Sequence, residues 1–172
     1  MRNHRLVTVL AAAALTAASG LAIASPAHAE DAIVKLVSVE SGKCLQPVNG
    51  SLIQGEAIVQ ETCNGSVAQQ WTVTSVSSTK VHLVNRSSRL CLDARGGATN
   101  GTPIQQWTCN SISNEDWQPG PEGSDDIPPL MSRVSGTSSY CLDIPGGQAT
   151  AGLAMQIYRC NGTLAQQWWL PY

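Results

Sequence analysis

Six cysteines are the residues of this chain whose type and spacing most directly imply chemistry. Cys44 is followed by Cys63, Cys91 by Cys109 and Cys141 by Cys160, at separations of 19, 18 and 19 positions. Three chemistries compete for such a set: disulfides, zinc ligation and a reactive thiolate. Zinc is disfavoured because no Cys-x-x-Cys pair occurs and His82 is the only histidine beyond residue 29. Each first cysteine opens a Cys-Leu step, and each second one is followed by a triplet ending in tryptophan: Gln69-Gln70-Trp71, Glu115-Asp116-Trp117 and Gln166-Gln167-Trp168. Six cysteines allow fifteen pairings in principle. The repeat selects Cys44–Cys63, Cys91–Cys109 and Cys141–Cys160, since every unit then carries the same local bridge. Closing a loop of this size contributes about 3 kcal/mol by restricting the unfolded chain.

Catalytic constellations find little material. A Ser-His-Asp or Cys-His arrangement needs His82, which stands between Val81 and Leu83 in an alternating strand pattern, and every thiol is expected to be oxidised. Two pairs of adjacent carboxylates, Glu115 with Asp116 and Asp125 with Asp126, are candidates for glycoside hydrolysis. Neighbours on one strand project to opposite faces, and the second pair lies in a loop without enclosing aromatics, so no enzyme is expected. No cofactor is expected either.

The elements that position these residues come from the repeat. The units start 47 and 50 residues apart, which predicts an internally threefold object whose pieces complete one another's core, with units at about 33–79, 80–128 and 129–172. Runs such as Ile33–Val39 and Lys80–Val84 are short, β-branched and partly alternating, and Glu40–Lys43, Arg95–Gly97 and Pro145–Gly147 are turn chemistry. An all-β fold, closed or sandwiched, follows. The Pro-, Gly- and acid-rich stretch from Gln118 to Pro129 is read as a long surface loop between units two and three.

Residues 1–29 carry Arg2 and Arg5, then an apolar run, then Ala27-His28-Ala29, the pattern of a secretory signal peptide. Residues 30–172 would then be the mature secreted chain, one domain in size. Its eight basic and twelve acidic residues give a net charge of −4. Without basic clusters it gains little from phosphate backbones, so nucleic acid is not an expected partner. Nor does any later apolar run approach spanning length, so no membrane insertion is expected. Export places the cysteines in an oxidising compartment.

Cys-Leu-Asp, a middle Gln-x-aromatic-x-Cys and a closing Gln-x-Trp, three times in register, resemble the ricin B-type lectin domain, also called a family 13 carbohydrate-binding module. The resemblance covers residues 30–172 almost entirely. It implies a β-trefoil, six hairpins of which three close a barrel and three cap it, with one shallow sugar pocket available per repeat. Trp71, Trp117 and Trp168 are then expected in the core, which in a chain without phenylalanine needs large side chains.

A pyranose ring offers neighbouring hydroxyls and a C–H face, so its capture needs a carboxylate acceptor, orienting amides and an aromatic ring. The resemblance places these parts at Asp93, Gln105, Trp107 and Asn114 in the second unit, and at Asp143, Gln156, Tyr158 and Gln166 in the third. Two positions depart from the family pattern: Glu115 stands for the Gln of Gln-x-Trp, and Ala165 stands for an Asn, with Asn161 as a candidate substitute. Unit one has Gln46, Val59, Glu61 and Ala68 at the corresponding positions and should hold a dead pocket. The aspartates are expected to be exposed, so that their loss would leave stability nearly unchanged.

Two function classes follow. One is a secreted lectin for galactose- or xylose-type units of glycans or plant polysaccharides, acting alone or as the targeting subunit of a separately encoded glycoside hydrolase. The other is a trefoil protease inhibitor or interaction domain with relic pockets. Five Asn-x-Ser/Thr sites, at Asn49, Asn64, Asn85, Asn100 and Asn161, would accept glycans in a eukaryotic secretory pathway.

Overall fold

A computed structural model describes residues 32–119, 130–132 and 139–171. The expected signal peptide at 1–29 lies outside them. Strands follow one another as β1 (Ala32–Val34), β2 (Val37–Ser38), β3 (Cys44–Pro47), β4 (Ile58–Glu61), β5 (Trp71–Ser77), β6 (Lys80–Asn85), β7 (Cys91–Ala94), β8 (Thr102–Trp107), β9 (Trp117–Pro119), β10 (Leu130–Ser132), β11 (Tyr140–Asp143), β12 (Gln156–Arg159) and β13 (Trp168–Trp169).

Every pairing is antiparallel, and the register explains why the sequence repeats. The barrel strands run from β1 through β5, β6 and β9 to β10, and β13 pairs with β2 through Trp168↔Ser38 and Trp169↔Val37. The hairpins β3–β4, β7–β8 and β11–β12 extend from these strands, with matched registers Gln46↔Val59, Asp93↔Gln105 and Asp143↔Gln156. The hairpins meet one another through Ala57↔Gln105, Val59↔Ala154 and Ile157↔Thr102. This is a β-trefoil, in which the pairing of β13 with β2 joins the last unit to the first. Gln118 and Pro119, expected in a loop, instead continue β9 and pair with Met131 and Leu130. Strand pairing across the barrel overrides the turn-like composition there; residues 120–129 lie outside the described part.

Trp71, Trp117 and Trp168 are each 0% exposed and fill the centre with Leu36, Leu45, Ile58, Leu83, Leu92, Ile104, Leu142, Ile144 and Ile157. Burying an indole requires a partner for its N–H. Each finds the same one, the carbonyl of the leucine after the first cysteine: Leu45 at 3.2 Å, Leu92 at 2.8 Å and Leu142 at 3.0 Å. The Cys-Leu step and the closing Trp are therefore two halves of one contact. The three disulfides are those selected by the repeat. Among the described residues no helix is long and apolar enough to cross a membrane.

Candidate functional site

Asp143 ends β11, directly across from Gln156 on β12, so the hairpin register alone brings the two side chains together. The Gln156 amide donates to Asp143 Oδ2 at 2.7 Å, and Gln166, in the turn before β13, donates to Oδ1 at 3.0 Å. Gln166 also donates to the Arg159 carbonyl and accepts from the Asn161 N–H. All of its polar capacity is thus turned inward; it fixes Asp143 and does not line the cleft. That cleft has a volume of ≈ 490 Å³, and its walls include Asp143, Gln156, Tyr158, Asn161, Ala165 and Glu40. Tyr158 is 39% exposed and free to offer its ring face.

The second unit repeats the first half of this design. Asp93 lies opposite Gln105, whose amide donates to Oδ1 at 2.7 Å. Trp107 is half-buried, with Gly55 of the first unit close against its ring edge: a Cβ there would lie 3.6 Å from Cζ3. Asn114 is half-buried in the turn before β9.

The third contact is missing in this unit. Where Gln166 donates to Asp143, and Gln69 to Gln46 at 3.0 Å, the second unit has Glu115. Its Oε1 accepts from the Asn110 N–H at 2.7 Å, as the glutamine oxygens do in the other units. Its Oε2 is buried with no hydrogen-bond partner, 3.9 Å from His82 Nδ1. A carboxylate oxygen stands where the fold calls for an amide donor. Glu115→Gln is therefore expected to stabilise the protein by about 1–3 kcal/mol, since the amide can donate to Asp93 and to the Thr108 carbonyl as its counterparts do. A raised thermal midpoint would show it; a lowered one would mean that the approach to His82 outweighs the unmet acceptor.

Unit one lacks the aspartate and the aromatic ring: Gln46, bonded to Gln69, stands in the place of Asp93 and Asp143, and Glu61 in that of Trp107 and Tyr158. The aspartates differ from expectation in one respect. Asp93 is 2% and Asp143 5% exposed, because their amide partners and the hairpins enclose them. Removing either leaves buried amides unpaired, so alanine substitution costs stability, about 1–3 kcal/mol.

Burial raises both carboxyls above the ordinary value of 3.8, with Gln105 opposing the rise at Asp93, and Gln156 and Gln166 opposing it at Asp143. A raised carboxyl holds its proton to higher pH in the folded than in the unfolded chain. Its contribution to stability is full below the unfolded value and is lost as pH rises through the folded one. Hydroxyl capture needs the ionised acceptor and runs the other way. Ligand retention is expected to weaken on acidification while the pH is still above 3.8, because both pocket carboxyls take up their protons there. Retention measured across an acid pH series checks it.

The Glu115–Asp116 pair does not point to opposite faces as a strand would dictate. Glu115 closes a 3-10 turn, and both carboxylates reach His82, Asp116 by Oδ1 at 3.1 Å from Nε2. Asp116 is also bonded to Lys80 at 2.7 Å, so its carboxylate is taken up by contacts within the barrel wall. His82 and Glu115 also approach Cys91, but that sulfur is already bonded to Cys109. Sequence reasoning missed Glu40, which sits in a turn of unit one and reaches the third cleft only because β13 pairs with β2. Asn85 is fully buried, donating to the Ala68 carbonyl, and is no glycan acceptor in the folded chain.

A threefold barrel with acceptor, amides and aromatic ring at equivalent hairpin positions defines a lectin-type trefoil. The ricin-type beta-trefoil lectin domain matches residues 32–168, and the chain belongs to that family. Among solved structures, the designed threefold-symmetric protein ThreeFoil is 28% identical with a TM-score of 0.76, over 81% of this chain and 98% of that one. An exo-beta-1,3-galactanase from Clostridium thermocellum is 28% identical with a TM-score of 0.75, over 84% of this chain and 30% of that one. The Macrolepiota procera ricin B-like lectin, solved with lactose, shares the fold at 18% identity and a TM-score of 0.70, over 83% of this chain and 96% of that one. No sequence among curated proteins matches the chain.

Proposed function

We propose that the chain is a secreted lectin that binds galactose- or xylose-type units of glycans or plant polysaccharides through the pockets of its second and third units. The observation that carries this reading is Asp143 held by two amides at the wall of a cleft that Tyr158 also lines. An acceptor-only carboxylate takes two hydroxyls, and a half-exposed ring takes the C–H face. Asp93, Gln105 and Trp107 repeat the arrangement, with Asn114 as a further amide. Neither catalysis nor a cofactor is needed for this role. Similarity to a lactose-bound lectin and to part of a galactanase supports a galactose-type ligand. The latter also supports delivery of a separately encoded glycoside hydrolase to its polymer. Cleavage after residue 29 and export complete the proposal.

The test is retention of the mature chain on immobilised galactan and xylan, competed by free galactose and xylose. Retention that free sugar releases is the expected result. No retention on either, nor on a wider glycan array, would favour a protein-interaction role.

A further inference from the structure

We propose that Glu40 makes the third pocket charge-selective, so that it takes an amine-bearing sugar in preference to the neutral sugar of the same ring configuration and rejects the acidic one. The inference rests on the sugar-binding reading of that pocket and adds the ligand's charge class.

Two carboxylates from different units line the cleft. Asp143 comes from β11, and Glu40 from the turn between β2 and β3. Glu40 packs over the Pro145–Gly147 turn: a Cβ on Gly147 would lie 3.9 Å from its carboxyl carbon and 4.0 Å from Oε1. Gly147 has φ +63, a conformation in which a side chain is strained, so the glycine keeps this rim open to the carboxylate.

None of the other lining residues is cationic. Arg159 follows Tyr158 on β12 and by strand alternation projects from the opposite face. The position corresponding to Glu40 in the second unit is Ser87, so the second carboxylate is not a feature of every unit.

Two acceptor-only groups in one small cleft ask for more donors than a ring of hydroxyls, each also an acceptor, supplies well. An ammonium brings three N–H donors and a compensating charge. A sugar carboxylate would meet two like charges instead.

The experiment is a titration of the full mature chain carrying Trp107→Ala, which silences the second pocket, with galactosamine, galactose and galacturonic acid, followed by the ring resonances of Tyr158. At low salt galactosamine should bind more tightly than galactose by about fivefold, the upper end for one exposed ion pair. Galacturonic acid should bind more weakly than either. Glu40→Gln, an exposed and near-isosteric change, should collapse the galactosamine preference, as should raised salt in the parent. Equal affinity for galactosamine and galactose, or a preference that survives Glu40→Gln, would overturn the inference while leaving the sugar-binding reading intact. If none of the three sugars perturbed Tyr158, that reading of the third pocket would itself fail.

Discussion

Replacing Asp93 and Asp143 together should abolish retention on polysaccharide, while either replacement alone should weaken it by far more than half. A shallow pocket that removes little apolar area from water binds a monosaccharide in the range of about 0.1–10 mM. Two pockets on one rigid trefoil convert the second contact into an intramolecular one, which raises retention on a polymer of suitable spacing by about a hundredfold. Losing one pocket therefore forfeits the avidity, and losing both forfeits the binding. Because each aspartate is enclosed by its amides, asparagine is the milder replacement: it keeps one oxygen for Gln105 or Gln156 and removes the charge, although at Asp143 its NH2 group takes the place of the oxygen that accepts from Gln166. Affinity chromatography of the two single variants and the double variant, each checked by its thermal midpoint, separates lost binding from lost folding. Full retention by a folded double variant would leave the interaction-domain role as the better account.

Trp117→Ala should be among the most damaging single changes outside the cysteines. The side chain is fully buried at the centre of the barrel, and its loss removes both packing and the N–H bond to the Leu92 carbonyl. A buried Trp→Ala change costs about 3–5 kcal/mol, against a total of about 5–15 kcal/mol for a domain. Trp71→Ala and Trp168→Ala should cost similarly, because the threefold geometry gives all three the same environment. Denaturant unfolding measures this. A midpoint near that of the parent would mean that the tryptophan is a surface ligand platform and not a wedge of the core.

These two expectations differ in how much of their basis was legible in the sequence. The Cys-Leu step, the bridge and the closing Trp recur because each makes a contact within its own unit, so a repeat in the chain reports a repeat in space. That Asp93 and Gln105, and Asp143 and Gln156, belong to one pocket each was legible through the family resemblance, but only the register shows that each pair lies directly across one hairpin. Glu40 was not legible, since it meets Asp143's cleft only through closure of the barrel between the last and first units. Burial of the aspartates was missed because a turn-like Asp carries no sign of how tightly neighbouring amides will enclose it. Glu115 stood out as a departure from the repeat, but only the register shows that its Oε2 faces no donor. At Gln118 and Pro119, composition argued for a loop and a partner strand decided otherwise.

The central claim is that two of three homologous pockets bind sugar. Calorimetric titration of the mature chain with a galactose-type ligand, at protein concentrations high enough to fix stoichiometry, tests it most directly. Two sites per chain is the predicted result, falling to one in Asp93→Asn and one in Asp143→Asn. Three equivalent sites would contradict the dead first pocket, and no detectable site would contradict the lectin reading altogether.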